Sequence, residues 1–277
     1  MRKIAVIGIA GESVFLSVEK FGQTGETTVA SDYYCELGGK GFNQAIAAAR
    51  HGCEVAFLGA AHEGDADRFE KIARECGINA RFVKKPERSP YAVIMTDAVG
   101  DNRVCVYRGA ELTVDDVDAF KLEIESSDIL LLTNEVPKDV NERAVEIAAA
   151  SGTRVILNPA PARQNDRAFL DKIYLFTPNE HETMGLDDYS NVIVTMGDKG
   201  CFIKECGEIL PSIKTDAVDT TGAGDTFSGI LAACVALGDD LRSACKRANV
   251  GSAIKVSRKH ILNSIPTKEE IERFVEK

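Results

Sequence analysis

Positive charge is scarce in this chain. Its 277 residues carry 33 lysines and arginines against 43 aspartates and glutamates, a formal net charge of −10. That balance argues against a nucleic-acid surface or an anionic membrane as the main partner. It leaves room for a local anion site built from backbone N–H groups. Long apolar runs are also missing. Met1-Arg2-Lys3 leads directly into Ile4-Ala5-Val6-Ile7-Gly8, too short a run for a signal peptide or a membrane span. A cytoplasmic protein without a membrane partner is expected. The four histidines do not group with cysteines at ligand spacing, and the eight cysteines contain no C-x-x-C pair, so a zinc site is not expected. Most of the cysteines, such as Cys53, Cys105, Cys234 and Cys245, lie in apolar patterns and read as reduced core thiols. Low-complexity segments and short-period repeats are absent. What remains is the composition of a soluble globular protein, with enough chain for one large α/β domain, alone or with a small appendage.

Strands and helices alternate along most of that chain. Lys3 to Ile9, Glu54 to Leu58, Ala80 to Lys84, Ile129 to Leu132, Arg154 to Leu157, Tyr174 to Phe176 and Asn191 to Met196 read as strands. Phe42 to His51, Asp65 to Cys76, Asp115 to Glu125, Lys138 to Ala150, a short stretch after Asn165, Leu241 to Val256 and Lys268 to Glu276 read as helices. Cys201 to Leu210 reads as a hairpin. The alternation predicts a parallel sheet covered on both faces, with right-handed crossovers and ligands outside the carboxyl ends of the strands. Gly59, Asn134-Glu135, Asn158 to Pro161, Thr177 to Asn179 and Gly197 all fall at such ends. The β-rich pieces at 13–37 and 91–107 fit poorly in a helix-covered sheet. They read as a small separate sheet, a lid over the ligand end.

The chain is organised around Asp219-Thr220-Thr221-Gly222-Ala223-Gly224-Asp225-Thr226-Phe227-Ser228-Gly229. Ile213 to Val218 before it reads as a short strand. Phe227, Ile230, Leu231, Cys234 and Leu237 after it recur at helical spacing, closed by Gly238. The first N–H groups of such a helix lack backbone partners and carry partial positive charge, a ready anion site. Asp225 sits in the same first turn. From the turn alone, Asp225 either satisfies the helix end or takes a proton from a hydroxyl that attacks a bound phosphate.

A second glycine-rich helix entry, Gly38-Gly39-Lys40-Gly41-Phe42-Asn43-Gln44-Ala45, lacks the Walker spacing and its Ser/Thr. Paired with Asp219 to Gly229, it resembles the twin signatures of the ribokinase-like, PfkB-type carbohydrate kinases. Asn158-Pro159-Ala160-Pro161, Thr177 to Glu182, Thr195 to Gly200 and Ala253 to Lys259 extend the resemblance, in order, over nearly the whole chain. The fold it implies is a three-layer α/β sandwich with a mainly parallel central sheet and a small β-sheet lid, a single domain over 1–277. The function it implies is transfer of a phosphoryl group from ATP to a hydroxymethyl group of a sugar or sugar-like substrate. Asp225 corresponds to the family's base, and the N–H groups of Gly222, Ala223 and Gly224 to its anion hole. Gly39, Lys40, Asn43 and Glu135 match contacts to substrate hydroxyls. Asn179, Thr195, Gly197, Gly224 and Asn249 match nucleotide positions. Asn179 and Glu182 match the Asn-x-x-Glu motif, which organises Mg2+, usually through water. Asp219, with the carbonyl groups around Thr221, Lys255, Arg258, His260 and Ser264, matches a monovalent-cation site, taken as K+. A helix-interior structural amide is the other reading of Asn249, and a turn cap that of Asp219.

Two departures stand out. Where ribokinase carries an Asn and an Asp that hold the sugar's hydroxyls, this chain has Gly11 and Ser13. That puts ribose in doubt and keeps a nucleoside or pseudouridine kinase open as a second reading. A sugar or nucleotide sensor without turnover is a third, disfavoured because a sensor needs no base. Only Thr183 to Ser190 stand between the Asn-x-x-Glu motif and the strand at Asn191, so a crossover helix is expected to be lost and one sheet face less covered. A homodimer through the lid strands is expected, because isolated small sheets have edges and a bare face to cover.

Overall fold

The computed structural model describes residues 1–275, apart from the Asn102 side chain. The chain starts with β1 (Lys3–Ile7), β2 (Gly11–Val18) and β3 (Ala30–Gly38), then α1 (Lys40–Arg50), β4 (Glu54–His62), α2 (Ala66–Glu75) and β5 (Ile78–Lys85). Next come β6 (Tyr91–Thr96), β7 (Asn102–Tyr107), two short helices α3 (Val114–Asp118) and α4 (Lys121–Glu125), β8 (Ile129–Thr133), α5 (Lys138–Ser151) and β9 (Arg154–Asn158). The last part holds α6 (Arg167–Leu170), β10 (Leu175–Phe176), β11 (Ile193–Thr195), β12 (Cys201–Ile203), β13 (Glu208–Leu210), α7 (Ala223–Leu237), α8 (Leu241–Val256) and α9 (Lys268–Val275).

Six parallel strands run in the order β10-β9-β8-β1-β4-β5. Parallel bridges Phe176↔Val192 and Asn179↔Thr195 carry the sheet on to the antiparallel trio β11-β12-β13. Side chains alternate across this sheet as the pleat requires. Ile4, Val6, Ile129 and Leu131 pack under α1, α2, α7 and α8. Ala5, Ile7, Leu130 and Leu132 pack under α3, α4 and α5. The result is a three-layer sandwich with apolar residues on both sheet faces, as parallel strands need. Order reverses at β1, which lies between β8 and β4, so a crevice opens at the carboxyl ends there. A separate four-stranded sheet, β3-β2-β6-β7, is formed by the two β-rich stretches. No helix among the described residues is long and apolar enough to cross a membrane.

Several expectations change in detail. Residues 213–218 form no strand; most are exposed, and Val218 and Asp219 instead donate N–H bonds to the Val256 carbonyl at 2.7 and 3.1 Å. The helix over 115–125 breaks at Ala119-Phe120, after Thr113 and Asp116 form a capping box. The Asn-x-x-Glu stretch is a bridge followed by a turn, and, as expected, no helix joins β10 to β11. The sheet face there is not left bare: Leu186 is buried and Tyr189 packs edge-on against Phe176, its hydroxyl donating to Asp171 at 2.7 Å. Cys105, on β7, is exposed rather than in the core.

Candidate active site

Two helix starts meet at the crevice. A Cβ on Gly229 would lie 2.3 Å from the Gln44 carbonyl oxygen and 2.6 Å from Ala47 Cβ. Glycine there lets α7 touch α1 backbone to backbone, and this brings the side chains of Asn43 and Gln44 onto Asp225. Asn43 Nδ2 donates to Asp225 Oδ2 at 2.9 Å, and Gln44 Nε2 to Asp225 Oδ1 at 3.3 Å. Asp225 is buried, with 6% exposure. Gln44 Nε2 also reaches Asn158 Oδ1 at 3.3 Å, and Asn158 Nδ2 donates to the Thr177 carbonyl at 2.6 Å. Thr177 and Ser228 hydroxyls lie 2.9 Å apart. Thus the carboxylate is clamped through amides anchored on β9 and the strand end after β10. Gln44 and Asn158 were not among the expected site residues. Each stands in a motif already singled out, but only the α1–α7 contact brings Gln44 to Asp225, with Asn158 behind it. Asn43 Oδ1 and Gln44 Oε1 have no hydrogen-bond partner among the described residues.

Lys40, at the start of α1, feels the charge of three carboxylates. Asp225 first, then Glu135 and Glu182, hold its pKa above the ordinary value against the opposing effect of burial. Glu135 follows β8 and accepts from the Gly41 N–H at 3.3 Å. Burial, and then the Asp225 charge, push its carboxyl up to about 7, opposed by Lys40. The region thus gathers charge of both signs around one crevice. Gly39 caps α1, its carbonyl accepting from Asn43 N–H at 2.9 Å.

Gly222 caps α7 at φ 75°, the left-handed region that favours glycine. The Ala223 N–H turns back to the Thr220 carbonyl at 3.2 Å, so it closes the turn rather than facing the crevice unpaired. Gly224 has a first-turn N–H without an intrahelical partner. A Cβ built on Gly224 would meet nothing within 4 Å among the described residues, so its flank is open to an approaching group.

Along the same crevice, Asn179 and Thr195 are neighbours through their bridge. Glu182 is half-buried and its Oε2 accepts from Asn179 N–H at 3.1 Å, while Asn179 Oδ1 accepts from His181 N–H at 2.8 Å. Thr195 Oγ1 donates to the Pro178 carbonyl at 3.3 Å. Gly197 is exposed and opens a single 3-10 turn. Asn249 is different. Its Nδ2 donates to the Leu210 and Pro211 carbonyls at 3.0 and 3.4 Å, which ties α8 to β13 and favours the structural reading of this amide.

At the small-sheet side, Gly11 does not leave room for a substrate. A Cβ there would fall 2.1 Å from the Pro90 carbonyl oxygen, so the backbone of residue 90 fills that space. Ser13 is buried beside Glu36 and Ala92 in the sheet register, and Gly38 spares its Oγ a contact of 2.6 Å. Glu36, also missed from the sequence, accepts from the Ile261 and Leu262 N–H groups at 2.7 and 2.9 Å. This ties β3 to the loop after α8.

The oxygen-lined cation site does not take the expected form. Lys255 is fully buried and its Nζ donates to the Asp219 carbonyl at 2.8 Å, 3.7 Å from Asp219 Oδ2. Asp219 Oδ1 accepts from Thr221 N–H at 2.9 Å and Oδ2 from His260 N–H at 3.1 Å. The Ser264 carbonyl accepts from Arg258 Nη1 at 3.4 Å, and the His260 carbonyl from Ser264 Oγ at 2.6 Å.

Comparison with known proteins identifies the family and the fold. A profile of the pfkB family carbohydrate kinases matches residues 1–268. The chain is 32% identical over 304 residues to the ribokinase of Haemophilus influenzae, covering 100% of this chain and 99% of that one. It is 32% identical over 302 residues to the deoxyribokinase of Salmonella typhi, covering 98% of each. The crystal structure of ribokinase from Thermotoga maritima superposes with a TM-score of 0.87 at 31% identity, over 100% of both chains. With two glycine-rich helix starts joined at a buried carboxylate, on a fold matched end to end, the chain belongs to the pfkB family of carbohydrate kinases.

Proposed function

We propose that the chain moves the γ-phosphoryl group of ATP onto a primary hydroxyl of a small furanose-type acceptor, with Asp225 as general base. The observation that carries this reading is the clamp on Asp225. Two amide donors hold both carboxylate oxygens, which fixes the group as an acceptor aimed from the first turn of α7. Beside it, the N–H groups of Gly222 and Gly224 would receive the phosphoryl oxygens, and Lys40 would supply a compact positive charge. Pre-set dipoles of this kind stabilise charge as it develops, without reorganising during the reaction. Asn43 and Glu135, with Gly39 and Lys40, line the acceptor side. Asn179, Thr195 and Gly197 line the nucleotide side.

Among the described residues, no group of three His, Cys, Asp or Glu side chains could hold a metal by itself. Mg2+ keeps several waters and takes the rest of its shell from phosphates and one or two carboxylates. Glu182, with Asn179 holding its carboxylate, is the residue to share it. The ion would supply neutralisation of phosphate charge. Ser13 in place of a carboxylate weakens the hold on a pair of adjacent hydroxyls, so the acceptor carries fewer or blocked hydroxyls on that side. A deoxysugar or a nucleoside meets this condition, and Ser13 is the observation that favours it over ribose. The four-stranded sheet acts as the lid over the acceptor. Its edge strand β7 exposes Val104 (56%) and Val106 (58%), in register with Ile94 and Ala92, on the face that carries Ser13. A second copy covering this face gives a homodimer.

The test is a panel of pentoses, deoxypentoses, hexoses and nucleosides, with ADP release coupled to an optical readout. The reading expects saturable, Mg2+-dependent turnover with at least one furanose-type acceptor. No ADP release above the ATP-only rate with any of them would overturn it.

A further inference from the structure

The residues expected to hold a monovalent cation do not fit one, because the chain supplies its own. We infer that the Lys255 ammonium takes the place of a bound potassium ion next to the turn that leads into α7, and makes the protein independent of monovalent cations. The inference rests on the kinase reading for its link to turnover, but not for its link to structure. Lys255 stands in the last turn of α8, where the helix end favours positive charge. Its side chain has 0% exposure, and its Nζ lies 2.8 Å from the Asp219 carbonyl and 3.7 Å from Asp219 Oδ2. Burial pulls the Lys255 pKa below its ordinary value, opposed first by Asp219 and then by a second carboxylate, Glu36. Asp219 is the oxygen-rich residue of the expected site, so the two oxygens best placed for an ion face an ammonium instead. A potassium ion sharing the Asp219 carbonyl would sit against a buried like charge. Three of the other candidate carbonyls already accept a hydrogen bond: Lys255 from Arg258 N–H at 3.0 Å, His260 from Ser264 Oγ, and Ser264 from Arg258 Nη1.

The position of this charge has a consequence for α7. Asp219 Oδ1 accepts the Thr221 N–H, and the Thr220 carbonyl accepts the Ala223 N–H at 3.2 Å. Lys255 therefore holds the residue that shapes the turn through Gly222. Lys255 is a positioning residue; it touches no reacting atom.

The experiment compares wild type, Lys255→Ala and Lys255→Met in potassium, sodium and tetramethylammonium chloride at equal ionic strength. Thermal unfolding is followed beside kcat and KM. Wild type should show the same Tm in all three salts and kcat values within about twofold. Lys255→Ala in tetramethylammonium should lose roughly 10- to 100-fold in kcat, the scale seen when a group that orients a site is removed. Its Tm and kcat should recover saturably with potassium chloride. Lys255→Met fills the space without a charge, so it should fold but not recover. If wild type gains more than about fivefold in kcat, or a saturable rise in Tm, from potassium, the inference is wrong. Unchanged Tm and kcat for Lys255→Met in tetramethylammonium would also overturn it. If no acceptor turns over, the kinase reading has failed, and the Tm comparison still decides the role of Lys255.

Discussion

Replacing Asp225 by Asn separates catalysis from folding, because the structure predicts opposite outcomes for the two. Asp225 accepts one hydrogen bond on each oxygen, from Asn43 and Gln44. In Asp225→Asn one of these oxygens becomes an NH2 group facing another NH2 group. That conflict has a remedy close by. Asn43 Oδ1 is buried without a partner among the described residues, so turning the Asn43 amide over presents an acceptor to the new donor. Gln44 keeps its bond to the remaining oxygen. Lys40 loses the carboxylate that acts on it most strongly but keeps Glu135 and Glu182. We therefore expect a net change in stability of about 1 kcal/mol or less, the size of one hydrogen bond exchanged for another. That corresponds to a Tm shift of about 2–4 °C at most. Turnover behaves differently, since an amide cannot take the acceptor's proton. The expected loss is about 10²-fold or more in kcat, at least about 2.7 kcal/mol of barrier, with KM for ATP nearly unchanged. The assays are steady-state ADP release and differential scanning calorimetry on the same preparations. A kcat within about fivefold of wild type would refute the role given to Asp225. A large fall in Tm would refute the amide-flip argument and leave the kinetic result without meaning for the base.

Other tests follow from single features. Glu135 keeps its proton up to about 7 when folded, against an ordinary 4.5, so the folded chain holds a proton that the unfolded chain has released between those values. Unfolding free energy should then fall as pH rises through that window, by on the order of 2 kcal/mol, and Glu135→Gln should flatten the fall; urea melts at pH 5 and 8 that show equal falls in both proteins would contradict this. Gly229→Ala would force a methyl group onto the Gln44 backbone, 2.3 Å from its carbonyl oxygen, and should destabilise the chain by roughly 1–3 kcal/mol or more; an unchanged melting curve counts against the α1–α7 contact. For the acceptor, kcat/KM for ribose should fall below that for a deoxypentose or nucleoside, and Ser13→Asp should raise it for ribose by about 10- to 150-fold, as for a regained charged hydrogen bond. Wild type preferring ribose over the whole panel, with no gain from Ser13→Asp, would remove that argument. Val106→Glu should convert a dimer to a monomer in light scattering, and a monomeric wild type at high concentration would rule out the lid interface.

Much of the architecture could be read without coordinates, because it rests on local chemistry. Apolar runs as short as Ile129 to Leu132, set between helical stretches, read as strands buried on both faces, as they are. Glycines at Gly222 and Gly238 punctuate α7 as the sequence suggests, and the boundaries of α8 match the reading residue for residue. Where the sequence reading failed, long-range contacts decided. Residues 213–218 have strand-like composition but no partner strand, so they form no strand and stay exposed. The turn from Thr183 to Ser190 covers its sheet face with Leu186 and Tyr189, a packing that no periodicity reveals. Gly11 looked like a missing ligand and is instead the point where the Pro90 backbone passes. Gln44 and Glu36 gain their roles from partners 181 and more than 200 residues away. Lys255 shows the limit most clearly. Aligned motifs locate its backbone near Asp219, but a lysine side chain can run in many directions. Only the packed structure, by burying the side chain completely, brings its ammonium to the Asp219 carbonyl.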